Sequence, residues 1–196
     1  MWVLLEALRN QSLDQVKLPA SLRTHGWPSV RDLLPNALRH LFYRSDADGL
    51  VVLADSDHTP LHTPKHEEPG CYDPACRICQ LRAVGRQTIA ELHGQIQGRV
   101  LRVALAIAVP AIEAWWRCGL DTHATEQSWA RSLPRGPFPF SRRDLKKVAY
   151  GTDRPSLPLS TMKMVESARR LTADLPLLER HFPMGFGAFA TEFRAW

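Results

Sequence analysis

The chain predicts an α/β fold: a mainly parallel sheet flanked by helices, with a Cys/His-rich insertion and a helical C-terminal part. Three observations predict it. The apolar runs WVLLE (2–6), GLVVLAD (49–55) and RVLRVALAIAVP (99–110) lack polar alternation, as strands buried on both faces do. The stretches between them carry helical spacing of apolar residues. Residues 58–80 break the pattern with four prolines, three histidines and three cysteines, and almost nothing that could pack.

The elements follow in order. After the first run, SLDQVKLPASLRTHG reads as a helix from an N-cap at Ser12 to Gly26, with Pro19 kinking or ending it. A short strand is expected near 22–27. PSVRDLLPNALRHLFYRS puts Val30, Leu33, Leu34, Leu38 and Leu41 mostly on one helical face, with a kink at Pro35. The second strand ends in Asp55 and Asp57, whereas the pair Asp46 and Asp48 precedes it in a turn. CQLRAVGRQTIAELHGQIQG forms a helix closed by Gly98, and the third strand follows. Residues 119–141 read as loop, then come helices in SRRDLKKVAYG and STMKMVESARRLTADL. The aromatic tail from Pro176 onward docks on the body. The expected division is an α/β core over 1–118, including the insertion at 58–80, and a C-terminal part over 119–196 packed on it.

Composition narrows the function classes. The 25 basic and 20 acidic residues give a net charge of +5, which favours a polyanionic partner such as nucleic acid. Glu6 and Arg9 interrupt the first apolar run, so it does not read as a signal peptide, and no stretch reaches bilayer length. Four cysteines, three of them clustered, suit a reduced, cytoplasmic chain, and no membrane association is expected. No P-loop, dinucleotide fingerprint or nucleophile elbow is present.

Each expected strand end carries a carboxylate. Glu6 ends the first, Asp55 and Asp57 follow the second, and Glu113 follows the third in AVPAIEAWW. In open parallel sheets, functional groups collect beyond the carboxyl ends of the strands. Adjacent parallel strands bring all four acids to one edge, where their repulsion requires a counter-charge. Mg²⁺ or Mn²⁺, which prefer oxygen ligands, meets that requirement. The same residues also fit hhhhDxDxT, with Asp55 as a phosphoryl-accepting nucleophile and Asp57 as general acid, as in haloacid-dehalogenase-type phosphatases.

Strand–Glu, strand–DxD and the later VPAIEAW together resemble the Toprim fold of topoisomerases, primases and the overcoming-lysogenization-defect nucleases. PxxEAW is particularly similar to small Toprim-like proteins found in phage-defence settings. The resemblance implies a Rossmann-like core and a divalent-metal-dependent nuclease acting on DNA or RNA. It implies Glu6, Asp55, Asp57 and Glu113 as ligands of Mg²⁺ or Mn²⁺. It adds Asp14 as a further acid and Lys146 or Lys147 as the cation that neutralises the transition state. It also implies a separate ATPase partner and a role in antiviral defence.

Two further groups stand out. Cys71, Cys76 and Cys79, with His62 or His66, have the residue types of a structural Zn²⁺ site, and His58 is expected to face the acids or the strand end. Arg135, Arg142 and Arg143, close to Phe138 and Phe140, can follow a nucleic-acid backbone. Trp115, Trp116 and Cys118 read as core. A non-catalytic module that binds nucleic acid or protein through the zinc-bearing insertion is the other reading of these features.

Overall fold

The computed structural model describes residues 1–22, 26–93, 99–133 and 140–196. Helix α1 (Trp2–Arg9) replaces the first expected strand. Leu4, Leu5 and Leu8 are its buried residues, a spacing that makes one helical face. A five-residue apolar run carries no period long enough to separate strand from helix. The helix ends at Asn10 in the left-handed region (φ 50), and the Asn10 and Gln11 N–H groups satisfy the last carbonyls. The helix expected from Ser12 is also absent. Residues 11–19 have no regular structure, and only a 3₁₀ turn at Ala20–Leu22 follows Pro19. The expected short strand near 22–27 falls largely on residues outside those described, and Trp27 already begins α2.

Helix α2 (Trp27–Arg44) keeps Pro35 in its interior and buries Leu34, Ala37, Leu38, Leu41 and Phe42. Strand β1 (Gly49–Asp55) follows, then the insertion and α3 (Arg77–His93). Strand β2 (Arg102–Ala108) pairs parallel with β1, Gly49 opposite Arg102 through Asp55 opposite Ala108. The described sheet has these two strands. The architecture is therefore mixed α/β with a small parallel sheet flanked by helices.

Both faces of the sheet are buried, and the period of two sorts the residues. Val52, Ala54, Leu105 and Ile107 face α2 and α3, packing with Leu38, Phe42 and Leu81. Ala104, Ala106 and Ala108 face the other way, where their small side chains leave room for larger ones. That second core gathers both ends of the chain. Leu4 and Leu8 of α1 meet Trp115 of α4 (Ile112–Arg117) and Phe182, Phe186, Phe189 and Phe193 of the tail. Trp115 and Trp116 are core residues, as expected, and so is Cys118.

The segment 119–141, expected as loop, contains α5 (Glu126–Ser132). Thr125 caps it by accepting the Ser128 N–H, and Trp129 anchors it in the interior. Helix α6 (Arg142–Tyr150) has a full capping box between Ser141 and Asp144 and ends at Gly151 in the left-handed region. Helix α7 (Leu157–Leu171) is capped by Ser156, and α8 (Leu175–His181) by Asp174. A π turn (Pro183–Gly187) then leads into α9 (Ala188–Arg194).

Gly185 in that turn lies against the backbone of β2. A Cβ here would run into the Ile107 carbonyl oxygen, and a strand carbonyl cannot move aside as a side-chain tip can. Gly185→Ala is therefore expected to destabilise the fold by roughly 1–3 kcal/mol, the usual scale of overpacking. Thermal denaturation measures it, and an unchanged midpoint would mean that the turn does not sit on β2.

Candidate functional site

The backbone beyond β1 stays tied to the segment after β2. Ser56 N–H donates to Ala108 O (2.8 Å) and Asp57 N–H to Pro110 O (2.9 Å). These bonds extend the strand pairing past the ladder and carry Asp55 and Asp57 to the start of α4. Asp57 takes the left-handed conformation (φ 51), which Asp tolerates better than most residues.

The acids converge there. Asp55 Oδ1 accepts the Ile112 N–H (3.0 Å). Glu113, the next residue of α4, is buried, and the Tyr150 hydroxyl of α6 donates to it. Burial pushes the Asp55 carboxyl up to about 6, and the negative charges of Glu113 and Asp57 add to that, against Arg142 and the Ile112 N–H. Glu113 therefore lies near enough to Asp55 to raise its carboxyl electrostatically.

Two arginines supply counter-charge. Arg142, the first residue of α6, bridges Asp55 Oδ2 (2.7 Å) and Asp57 Oδ1. Arg77, the first residue of α3, donates to Asp57 Oδ2 (2.8 Å) and to the Asp55 carbonyl, and its guanidinium lies 4.7 Å over the Trp27 ring. Three carboxylates and two guanidiniums thus meet where both strands end. Among the described residues these acids do not form a group close enough to hold a metal ion; their charge is met by the two guanidiniums. In this arrangement Arg142 occupies the cationic position between Asp55 and Asp57.

Other expected members are placed differently. Glu6 lies on a helix rather than at a strand end, and its Oε1 accepts the Leu13 N–H (3.4 Å) in its own following loop. The charges that act most strongly on Asp55 are those of Arg142, Glu113 and Asp57. The α6 cation at the acids is Arg142, one helical turn before Lys146, while Lys147 is exposed and lies beside Asp144. Arg143 pairs with Asp153 at 2.5 Å on the surface, and Arg135 and Phe138 lie outside the described residues. His58 stacks on Trp129, with ring centroids 5.8 Å apart. Arg77 and Tyr150 were not anticipated. The position of Arg77 inside CRIC was the only available signal for it.

The insertion brings a second group together. Donor atoms of His62, His66, Cys76 and Cys79 all lie within 4.8 Å of one another, a set that can hold a zinc-type ion. His62 Nδ1 is 3.5 Å from Cys76 Sγ and 3.7 Å from Cys79 Sγ. Cys71 is not in the group; its thiol faces Glu68 instead, at 4.0 Å. The second histidine takes the place that Cys71 was expected to fill. Both histidines can reach because the 3₁₀ turn at Pro64–Glu67 doubles the chain back, with the His62 and His66 rings 5.2 Å apart. Burial holds His62 below its ordinary value, which favours the neutral imidazole that metals bind. Burial also pushes the Cys76 thiol up to about 11 in the absence of an ion.

Comparison with protein-family models, with curated proteins and with solved structures found no match. Among the described residues no helix is long and apolar enough to cross a membrane.

Proposed function

We propose that the acidic edge hydrolyses phosphodiester bonds of DNA or RNA with Mg²⁺ or Mn²⁺. One observation carries this reading: Asp55, Asp57 and Glu113 meet beyond the ends of two parallel strands, with Arg142 brought to them from α6. A bound divalent ion lowers the pKa of an attacking water and stabilises charge on the phosphate oxygens. The protein's own residues do the rest. The Ile112 N–H orients Asp55, Arg77 orients Asp57, and Tyr150 orients Glu113. Arg142 has the planar fork that matches a phosphate as well as a carboxylate. Asp55 and Asp57 would hold the ion, and the Arg142 fork that now pairs with them would be the group to contact the phosphate. Arg143, Lys146 and Lys147 extend the basic character of α6 along the same helix. Glu6 is left out of this site. An ATPase partner and a role in antiviral defence accompany the Toprim resemblance, a cytoplasmic location accompanies the reduced cysteines, and all three are part of the proposal.

The His/Cys group supports the second reading, a zinc-bearing module that binds nucleic acid or protein without cleaving it. One assay separates the readings. Purified protein is incubated with single- and double-stranded DNA and RNA, with and without Mg²⁺ or Mn²⁺. Cleavage that a chelator abolishes is the expected result. Binding without cleavage favours the module. Hydrolysis of a small phosphomonoester with nucleic acid left intact favours the phosphatase chemistry of DxDxT.

A further inference from the structure

We infer that His62, His66, Cys76 and Cys79 bind one Zn²⁺ as a closed structural centre, and that this centre holds Arg77 against Asp55 and Asp57. The four donors already converge, and three details beyond proximity point to an ion. His62 turns Nδ1 toward the two sulfurs while its Nε2 meets Glu67, which Arg82 also contacts. A carboxylate behind a ligating imidazole is the usual way such a ring is fixed. His66 Nδ1 is buried with no hydrogen-bond partner, a costly state that a metal bond removes, and its Nε2 is 4.0 Å from Asp73. Finally, His62 is the one buried residue between Asp57 and Cys76. Apart from the His58–Trp129 stack and half-buried Leu61, little of this stretch packs against the body, so binding energy from an ion would supply the order. Two thiolates and two imidazoles select zinc over the hard ions that suit the acids, so the two centres do not compete.

The link to the acidic edge is covalent and short. Cys76 and Cys79 flank Arg77, which leads the first turn of α3. Anchoring both cysteines on one ion fixes that turn. Arg77 is 8% exposed, and its fork reaches the Asp55 carbonyl and Asp57 Oδ2. It acts on the chemistry only through Asp57, as a positioning residue. The importance of that positioning for catalysis rests on the proposed function. Zinc binding and the placement of Arg77 do not.

The test reads those two properties without an activity assay. Elemental analysis of protein purified without chelators should give about one zinc per chain, as a closed four-ligand site requires. Cys71→Ser should keep the zinc and Cys76→Ser should lose it. Nitrogen-15 NMR then follows the Arg77 guanidinium, identified by its absence in Arg77→Lys. In zinc-loaded protein it should rotate slowly and resist exchange. Stripping the wild-type protein with a chelator should remove that protected signal, and adding zinc back should restore it. Far-UV circular dichroism confirms that the stripped protein keeps its helices, and an unfolded stripped protein would show zinc holding the whole fold rather than Arg77, against the proposal. A chain that purifies without zinc and does not take it up overturns the centre. A guanidinium signal unchanged by zinc removal overturns the link. Neither result depends on whether the acidic edge cleaves anything.

Discussion

Asp55→Ala is expected to lower metal-dependent cleavage by at least ~10³-fold while leaving the protein folded. The size follows from the several kcal/mol of transition-state stabilisation that a bound ion provides, at 1.36 kcal/mol per tenfold. Asp55 is the acid most exposed to this loss, since it lies between Glu113, Asp57 and Arg142 and accepts the Ile112 N–H. The stability effect is small because two contributions oppose. The variant leaves the Ile112 N–H without its acceptor, which costs about 1–3 kcal/mol if the donor stays dry. It also removes a carboxylate that burial disfavours when ionised. Its folded value of about 6 lies above the ordinary 3.8, so at neutral pH the charged form opposes folding by an amount of similar size, roughly 3 kcal/mol. Cleavage rates measured alongside thermal denaturation separate the two effects. Wild-type cleavage by a folded Asp55→Ala protein would remove the acidic edge from the mechanism.

Glu126→Gln should change how stability depends on pH. Glu126 opens α5 and is 4% exposed, with Oε2 accepting the N–H groups of Met184 (2.9 Å) and Gly185 (3.3 Å). Burial pushes its carboxyl up to about 7 from 4.5, and those two donors only partly oppose the shift. A folded value above the unfolded one means that the folded protein holds the proton more tightly. The stabilisation is fully present below about 4.5 and is lost as pH rises through about 7. That gap is worth roughly 3 kcal/mol. Asp55 contributes with the same sign between 3.8 and about 6, so the wild-type curve contains both. Glutamine keeps an amide oxygen for the same N–H groups but does not titrate. Urea denaturation at pH 5 and pH 8 should therefore show wild-type protein losing about 2.5 kcal/mol more than the variant, since part of the gap is already lost at pH 5. Parallel curves would mean that Glu126 ionises as it does in water.

The elements most legible in the sequence are those set by neighbouring residues. The unbroken apolar runs of 49–55 and 102–108 mark strands covered on both sides, and Ser141, Asp144 and Gly151 mark both ends of α6. The run WVLLE was misread because burial on a helical face and burial in a strand both produce five consecutive largely apolar residues. With that strand goes the strand-end position of Glu6. The segment around Glu126 read as loop because its helix is short and depends on burying Trp129.

At the candidate site, sequence alone determined that Asp55 and Asp57 lie at the end of a strand, that Glu113 follows its parallel neighbour, and that Cys79 lies at the start of the helix between them. Spacing within one element decides such things, because a strand or helix end places its side chains whatever the rest of the chain does. The tertiary structure alone decided which cations reach those acids and which donors face the cysteines. Arg142 is 85 residues from Asp57, and Lys146 lies on the same helix with the same charge. His66 and Cys71 sit in one loop and are equally plausible ligands by composition. Those choices depend on which face of α6 packs inward and where the turn at Pro64–Glu67 folds back. Both are settled by burial across the whole chain, which leaves no local signature in the order of residues.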